Sequence, residues 1–388
     1  MRCEEAYFKT YGRSPDFIAF CPYRISPLGA HIDHQWGKIN GLAIDKGVHI
    51  AFSRKENGVV ELQSLNFPKR AQFHVNSIPD EKVGDWADHM RGAAKMLTEK
   101  YPLRYGISAV VEGTLPIGGL SSSAAVIIAF MSALAQVKRI QLLPWDIIMM
   151  AKAAENKYVG VNCGKLDQSC EVLCRKDQLL YLDCEDDSHQ LIPWTGPKFK
   201  IAVFFSGLER SLATSAYNLR QDECKAAVYS LLAHAGLEYG KFADTRLRDV
   251  PTPVFEEYKD RLPENFRKRA THFFTEYRRV EEGVEAWRKG DLETYGRLIF
   301  ESGRSSIENY ECGCPELITL YNIMTETDGI YGGRFSGAGF TGCCMALVDP
   351  EKADQVLAEV ERKYLDVYPA LKGKYLGALC ESADGVRL

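Results

Sequence analysis

No window of the 388-residue chain approaches the roughly 18 uncharged apolar residues of a membrane span. The amino terminus, Met1-Arg2-Cys3-Glu4-Glu5, lacks the basic-then-apolar order of a secretory leader, so a soluble, cytoplasmic protein with no membrane partner is expected. Positive charge is not in excess: 48 Lys and Arg against 52 Asp and Glu leave a net charge of −4, which argues against nucleic acid as a partner. Histidine is scarce, and none stands near Cys312 and Cys314 to complete a zinc set. The 12 cysteines are scattered, and Cys163, Cys343 and Cys344 lie in apolar surroundings, so reduced, buried thiols are expected rather than a disulfide framework. The glycine pattern of dinucleotide-binding folds and the lysine of a Walker-type phosphate loop are both missing. So are internal repeats, low-complexity tracts and flexible linkers.

What is present suits a large mixed enzyme. With 46% hydrophobic and 26% charged residues the chain can bury a sizeable core, and its length predicts two domains, 1–198 and 199–388, that share one continuous interface. Alternating or β-rich runs predict strands at Asp16 to Cys21, Gly47 to Ser53, Val59 to Ser64, Ile107 to Glu112, Lys200 to Phe205 and Cys343 to Val348. Helical spacing predicts helices over Trp86 to Lys100, Pro144 to Tyr158, Ala216 to His234, Phe266 to Lys289, and Leu292 to Ser302 with a stop at Gly303. The basic stretch around Arg267, Lys268, Arg269, Arg278 and Arg279 reads as the solvated face of an amphipathic helix. Ala124 to Val137, apolar nearly all round, reads as a buried helix whose start faces a cleft.

That helix follows the stretch Pro116-Ile117-Gly118-Gly119-Leu120-Ser121-Ser122-Ser123-Ala124. Glycines let the backbone approach an anion, serines offer hydroxyls and N-caps, and the helix aims unpaired N–H groups at the same place. It is a candidate phosphate cradle, although a glycine turn with a serine cap would look the same. A second cluster, Gly332 to Gly342, precedes the strand at Cys343.

Three segments combine: Cys21-Pro22-Tyr23-Arg24-Ile25-Ser26-Pro27-Leu28-Gly29-Ala30-His31-Ile32-Asp33-His34, the serine loop, and Ser336-Gly337-Ala338-Gly339-Phe340-Thr341-Gly342-Cys343. In order and spacing they resemble the three motifs of the GHMP kinases, and the resemblance spans essentially the whole chain. Glu155 followed by Gly164-Lys165-Leu166-Asp167-Gln168, and Ser211-Leu212-Ala213-Thr214-Ser215-Ala216-Tyr217, resemble galactokinase segments. The resemblance implies an α+β, two-domain GHMP kinase fold, ribosomal-protein-S5-like at the N-terminus and ferredoxin-like at the C-terminus, with the site between them.

It also implies roles. ATP and a sugar are the expected small-molecule partners, with Mg2+ as cofactor. The loop from Pro116 through Gly118, Gly119, Leu120, Ser121, Ser122 and Ser123 to Ala124 would cradle the nucleotide phosphates. Asp167 matches the family base, and Arg24 matches the arginine that keeps that carboxylate ionised and steadies the transferring phosphoryl group. The metal would sit on Ser123 and Glu155, with Ser122 as a substitute for the serine. Ala30, His31, Asp33, Tyr217 and Gly339 join Arg24 and Asp167 as acceptor-side residues; His31 reads first as a packed histidine. No pattern in the sequence specifies an oligomeric state.

One departure bears on the acceptor. Galactokinases carry Gly-Glu-His-Thr-Asp-Tyr where this chain reads Gly29-Ala30-His31-Ile32-Asp33-His34, and the glutamate of their Ser-Ser-Glu-Tyr becomes Ala216. A carboxylate at position 30 would repel an acidic C6 group by on the order of a few kcal/mol, and alanine removes that repulsion. The variant forms, with Ser305 to Gly313 and Arg334 to Cys344, resemble galacturonokinases, so D-galacturonate is the expected acceptor. Galactose, glucuronate and a non-catalytic sugar sensor remain as alternatives, and Tyr23 is one candidate neighbour of the uronate carboxylate.

Overall fold

The computed structural model describes residues 2–208 and 213–387, with backbone alone for 213–215. After helix α1 (Arg2–Tyr11), strands β1 (Phe17–Ile25), β2 (Lys38–Lys55), β3 (Val59–Ser64), β4 (Ala71–His74), β5 (Gly106–Gly113), β6 (Gln178–Asp183) and β7 (His189–Pro193) build one sheet. Its order is β4-β3-β5-β2-β6-β7, with β1 paired to β2. Only β3 and β5 run parallel, joined by a crossover through β4 and helix α2 (Asp88–Lys100). Two predicted strands prove to be pieces of longer ones: Gly47 to Ser53 belongs to the 18-residue β2, and Asp16 to Cys21 continues to Ile25. Pro22 sits where the β1–β2 register shifts, a place that tolerates a missing N–H.

Helix α3 (Ser122–Lys138) buries Ala124, Ala125, Ile127, Ile128, Phe130 and Leu134 against this sheet and α2, as its uniform apolarity requires. Helix α4 (Pro144–Ala153) passes into a π-helical turn, Ala154–Val159, and helix α5 (Leu166–Leu173) follows. The predicted helix from Pro144 to Tyr158 therefore changes pitch at Ala154. Wider turns of this kind re-aim side chains, and this one carries Glu155.

The rest of the chain forms a four-stranded antiparallel sheet, β11-β8-β10-β9, from β8 (Lys200–Phe205), β9 (Ile330–Phe335), β10 (Cys343–Val348) and β11 (Leu376–Cys380). Of helices α6 (Ala213–His234), α7 (Thr252–Tyr258), α8 (Glu264–Arg288), α9 (Leu292–Glu308), α10 (Pro315–Thr325) and α11 (Ala353–Val367), the last three pack on this sheet, while α8 packs on α6, α9 and the first sheet. Strand β12 (Ser382–Ala383) returns to pair with β2 of the first sheet. One hydrophobic cluster runs through both sheets. Among the described residues no helix is long and apolar enough to cross a membrane, and all twelve cysteines are free thiols.

Two local expectations are corrected. Helix α9 does not stop at Gly303 but runs to Glu308; the glycine serves a close approach, since a Cβ there would lie 2.5 Å from the Tyr321 ring. The basic face of α8 is not wholly solvated. Arg269 is buried and ion-pairs with Glu223 at 2.6 Å and Glu311 at 2.7 Å, while Arg279 pairs with Glu276 at 2.8 Å. Of the second glycine cluster, Gly332 and Gly333 are strand residues of β9, and only 336–342 form a loop.

Candidate active site

Several backbone segments meet at one cleft. The end of β1 and the turn after it bring Arg24, Ser26, Ala30, His31 and Asp33; the loop before α3 and its first residues bring Gly118, Gly119, Ser121, Ser122 and Ser123. The π-helical turn and the start of α5 bring Glu155, Cys163, Gly164 and Asp167, while Tyr217, Phe335, Gly337 and Ala338 close the far side. Residues read as separate motifs in the sequence thus share one cavity.

At its centre Arg24, 3% exposed, donates from Nε to Asp167 Oδ1 at 2.8 Å and from Nη1 to the carbonyl of Gly119 at 3.0 Å. Burial opposes the guanidinium charge, but the attraction and hydrogen bond of Asp167, together with Cys170 and Glu171, more than offset it, and the group is held above its ordinary range. One arginine therefore ties the carboxylate to the glycine-serine loop. Asp167 lies in the first turn of α5, and its side chain is 28% exposed, which leaves the carboxylate within reach of a bound molecule.

The serine loop is set by contact with the second glycine loop. A Cβ on Gly337 would lie 2.8 Å from the Gly119 carbonyl oxygen, and one on Gly342 would lie 2.8 Å from the Gly118 carbonyl carbon. Both glycines also have positive φ, +69° and +102°, so two backbones interlock where no side chain fits. The expected serine N-cap is not made: Ser121 has a left-handed backbone (φ 59°), and its buried hydroxyl has no partner among the described residues. The N–H groups that open α3 consequently have no side-chain cap competing for them. Leu120 and Ala124 are buried behind the loop and Pro116 is exposed at its edge, so these three support rather than line the cleft.

Glu155 is 4% exposed and takes hydrogen bonds from Gln168 and Cys163. Burial first, and the charge of Asp167 second, push its carboxyl up to about 7, with the Ser123 hydroxyl pulling the other way. Cys163 is thus not among apolar neighbours as expected; its thiol lies 3.4 Å from Glu155 and 3.1 Å from Asn156, because the loop before α5 folds back on the π-helical turn.

Asp33 is buried and accepts the Leu166 N–H at 3.2 Å; burial and the nearby Asp167 raise its pKa. His31 stacks on Tyr310 with ring centroids 4.2 Å apart, and Tyr217 lies 6.4 Å away. Ser211 and Leu212 lie outside the described residues. Gly339 does not line the cleft: it packs behind it, where a Cβ would meet Cys312 Sγ at 2.9 Å. Tyr23 is also displaced from its expected place. It faces a second, more apolar pocket beyond the serine loop, with Phe67, Trp86, His89, Met90 and Val126.

That second pocket was invisible in the sequence. Phe67 and Trp86 lie on separate elements, yet their rings are parallel within 9° at 5.8 Å, and Trp86 is fixed by its indole N–H to the Lys69 carbonyl at 2.7 Å.

Comparison with known proteins agrees with the geometry. Residues 88–175 match the GHMP kinases N terminal domain, 284–366 the GHMP kinases C terminal domain, and 5–54 the galactokinase galactose-binding signature. A galacturonokinase from Arabidopsis thaliana is 38% identical over 96% of this chain and 93% of its own length. A galactokinase from Roseiflexus is 31% identical over 98% and 95%. The Lactococcus lactis galactokinase complexed with galactose superposes with a TM-score of 0.89 at 25% identity over 99% and 98% of the two chains. The Methanococcus jannaschii mevalonate kinase, at 16% identity over 94% of this chain and 98% of its own, shares the fold with a TM-score of 0.67. This chain belongs to the GHMP kinases, as a sugar kinase of the galactokinase and galacturonokinase type that transfers phosphoryl groups to an alcohol acceptor.

Proposed function

We propose that the protein phosphorylates the anomeric hydroxyl of D-galacturonate with ATP, giving D-galacturonate 1-phosphate and ADP. The observation that carries this reading is Ala30: it lines the cleft where galactokinases place a glutamate, in a cavity that already holds Asp33, Glu155 and Asp167. A fourth carboxylate would oppose an acidic sugar, and the methyl group leaves room for one. Similarity to the Arabidopsis thaliana galacturonokinase supports the same acceptor.

In this reading the purine lies in the Phe67–Trp86 pocket and the phosphates on the N–H groups of Ser121, Ser122 and Ser123. Asp167 takes the proton of the C1 hydroxyl, or orients it, since a loose transition state needs little early deprotonation. Arg24 holds that carboxylate in line and presents fixed positive charge to the equatorial oxygens as charge redistributes. Asp33 and Tyr217 read ring hydroxyls, and His31 forms the wall beside Ala30. The domains are 1–198 and 199–388, with the cleft between them.

Ser123 and Glu155 fit a magnesium ion. The Glu155 carboxyl is buried without a cationic partner among the described residues, is pushed toward its neutral form, and has a hydroxyl beside it, so a small hard cation would supply the missing charge. When bound, magnesium neutralises polyphosphate charge; one carboxylate and one hydroxyl suffice because water and phosphate oxygens complete its shell.

The test is ADP release with Mg-ATP and D-galacturonate, D-glucuronate, D-galactose or L-arabinose at equal subsaturating concentration, with the phosphorylated carbon located by NMR. Selective turnover of galacturonate at C1 is expected. Galactose turned over well above galacturonate would overturn the acceptor, and no turnover of any sugar would favour a sensor.

A further inference from the structure

The wall beside the acceptor is strained and is held from behind. Gly29 and His31 both have positive φ, +93° and +65°, so two residues in three carry left-handed backbone. For histidine that conformation is costly and persists only where its surroundings over-determine it. Three groups from the second half of the chain do so, each gripping one residue. Glu276 Oε1 accepts the Gly29 N–H at 2.7 Å; His272 Nε2 lies 3.0 Å from the Ala30 carbonyl oxygen; Cys312 Sγ lies 3.6 Å from His31 Nε2.

Glu276 and His272 stand four residues apart on α8 and therefore on one face. The Ala30 carbonyl can only accept, so His272 Nε2 must carry the proton, and Nδ1 accepts from the Ser305 hydroxyl at 3.0 Å. Burial holds this imidazole neutral, with a pKa lowered to about 4, so the tautomer is fixed through the working pH range. Glu276, wholly buried, also binds Ser302 Oγ at 2.6 Å, Arg279 at 2.8 Å and Arg334 at 3.3 Å. Arg334 is in β9, next to Phe335, from which the glycine loop departs. Neither His272 nor Glu276 lines the cleft.

We infer that His272 and Glu276 are positioning residues for acceptor recognition, fixing the peptide groups on either side of Ala30 so that the left-handed wall, and with it His31, keeps its place against the sugar. This rests on the sugar-kinase reading of the cleft but not on which hexose is the acceptor.

The side-chain chemistry of His272 allows a paired test. Gln offers an N–H donor at the ε position, reaching Ala30; Asn offers an acceptor at the δ position for Ser305 and no donor at ε. His272→Asn should raise the KM for sugar about 3- to 10-fold, the loss of one buried hydrogen bond, while the KM for ATP stays within about twofold. His272→Gln should restore the sugar KM. Backbone amide exchange over 27–33 should accelerate in the Asn variant and not in the Gln variant, a readout that needs no turnover. His272→Gln, which keeps the donor, guards against a variant that fails to fold; Glu276→Gln keeps an acceptor for Gly29 but takes the buried charge from Arg279 and Arg334, so its exchange over the same segment should accelerate, and exchange at the wild-type rate would remove Glu276 from the assignment. Equal behaviour of the Asn and Gln variants, or parallel rises in both KM values, would overturn the assignment. Kinetics are measured with D-galacturonate and with D-galactose, so a preference for galactose would reject the proposed acceptor while the Asn–Gln contrast still decides the role of His272.

Discussion

Arg24 and Asp167 are 143 residues apart in sequence and 2.8 Å apart in space, with the same guanidinium fastened to the Gly119 carbonyl. The pair joins the Asp167 carboxylate, the proposed base, to the glycine-serine loop as one unit. Asp167→Asn should keep this geometry through one oxygen and lose the negative charge. Turnover is expected to fall by about 10²- to 10⁴-fold with sugar affinity retained, checked by single-turnover kinetics and titration calorimetry. Unaltered turnover would remove Asp167 from its role.

Ala30→Glu should reverse acceptor preference. The new carboxylate would sit beside Asp33 and Asp167 and face the sugar C6 group, so kcat/KM for D-galacturonate should drop at least about tenfold, from a few kcal/mol of like-charge repulsion. D-galactose turnover should rise or hold. The ratio of the two kcat/KM values is the measurement; a ratio unchanged by the substitution would mean that C6 lies elsewhere.

Gly342→Ala tests the interlocked loops. Its Cβ would have to displace the Gly118 backbone, at a position with φ +102° that alanine rarely adopts. The KM for ATP should rise more than the KM for sugar, and thermal stability should fall by about 1–3 kcal/mol. A KM for ATP equal to wild type would show that the serine loop keeps its shape alone.

Trp86→Ala should weaken nucleotide binding without touching the sugar side. Loss of a flat aromatic wall predicts a KM for ATP about 5- to 30-fold higher, from roughly 1–2 kcal/mol of stacking and burial. A larger effect on the sugar KM would place the purine outside the Phe67–Trp86 pocket.

His272 also makes a prediction about pH. Burial, first among the causes, holds its folded-state pKa at about 4, against 6.5 for an ordinary histidine. Between those values the unfolded chain binds the extra proton, so this residue's stability contribution falls as pH drops from 6.5 toward 4. Glu155 and Asp33, raised by burial, act in the opposite sense, so the comparison must be differential. Between pH 7 and pH 5 His272→Gln should gain about 1–2 kcal/mol relative to wild type in urea unfolding. An equal difference at both pH values would contradict the lowered pKa.

Much of this was legible locally. The strands Val59–Ser64, Lys200–Phe205 and Cys343–Val348 have the limits their β-rich runs predicted, and α3 is buried as its unbroken apolarity required. The motif residues Arg24, Asp33, Ser123, Glu155, Asp167 and Tyr217 do gather in one cleft. Periodicity and turn chemistry are properties of neighbouring residues, and a chain exhibits them before it folds.

What tertiary structure alone decided depends on contacts between distant segments. Gly303 reads as a helix stop until Tyr321 is packed against it, and Arg269 reads as a surface charge until Glu223 and Glu311 meet it in the interior. The aromatic pocket needs Phe67 and Trp86 brought parallel, and Tyr23 lines it rather than the cleft that holds Asp167. The grip of His272 and Glu276 on Ala30 and Gly29 spans more than two hundred residues, and a sequence pattern holds no trace of it. Short-range preference set the elements and supplied the reactive groups. Long-range burial, which alone fixes distance, orientation and the local electrostatics, determined what those groups face.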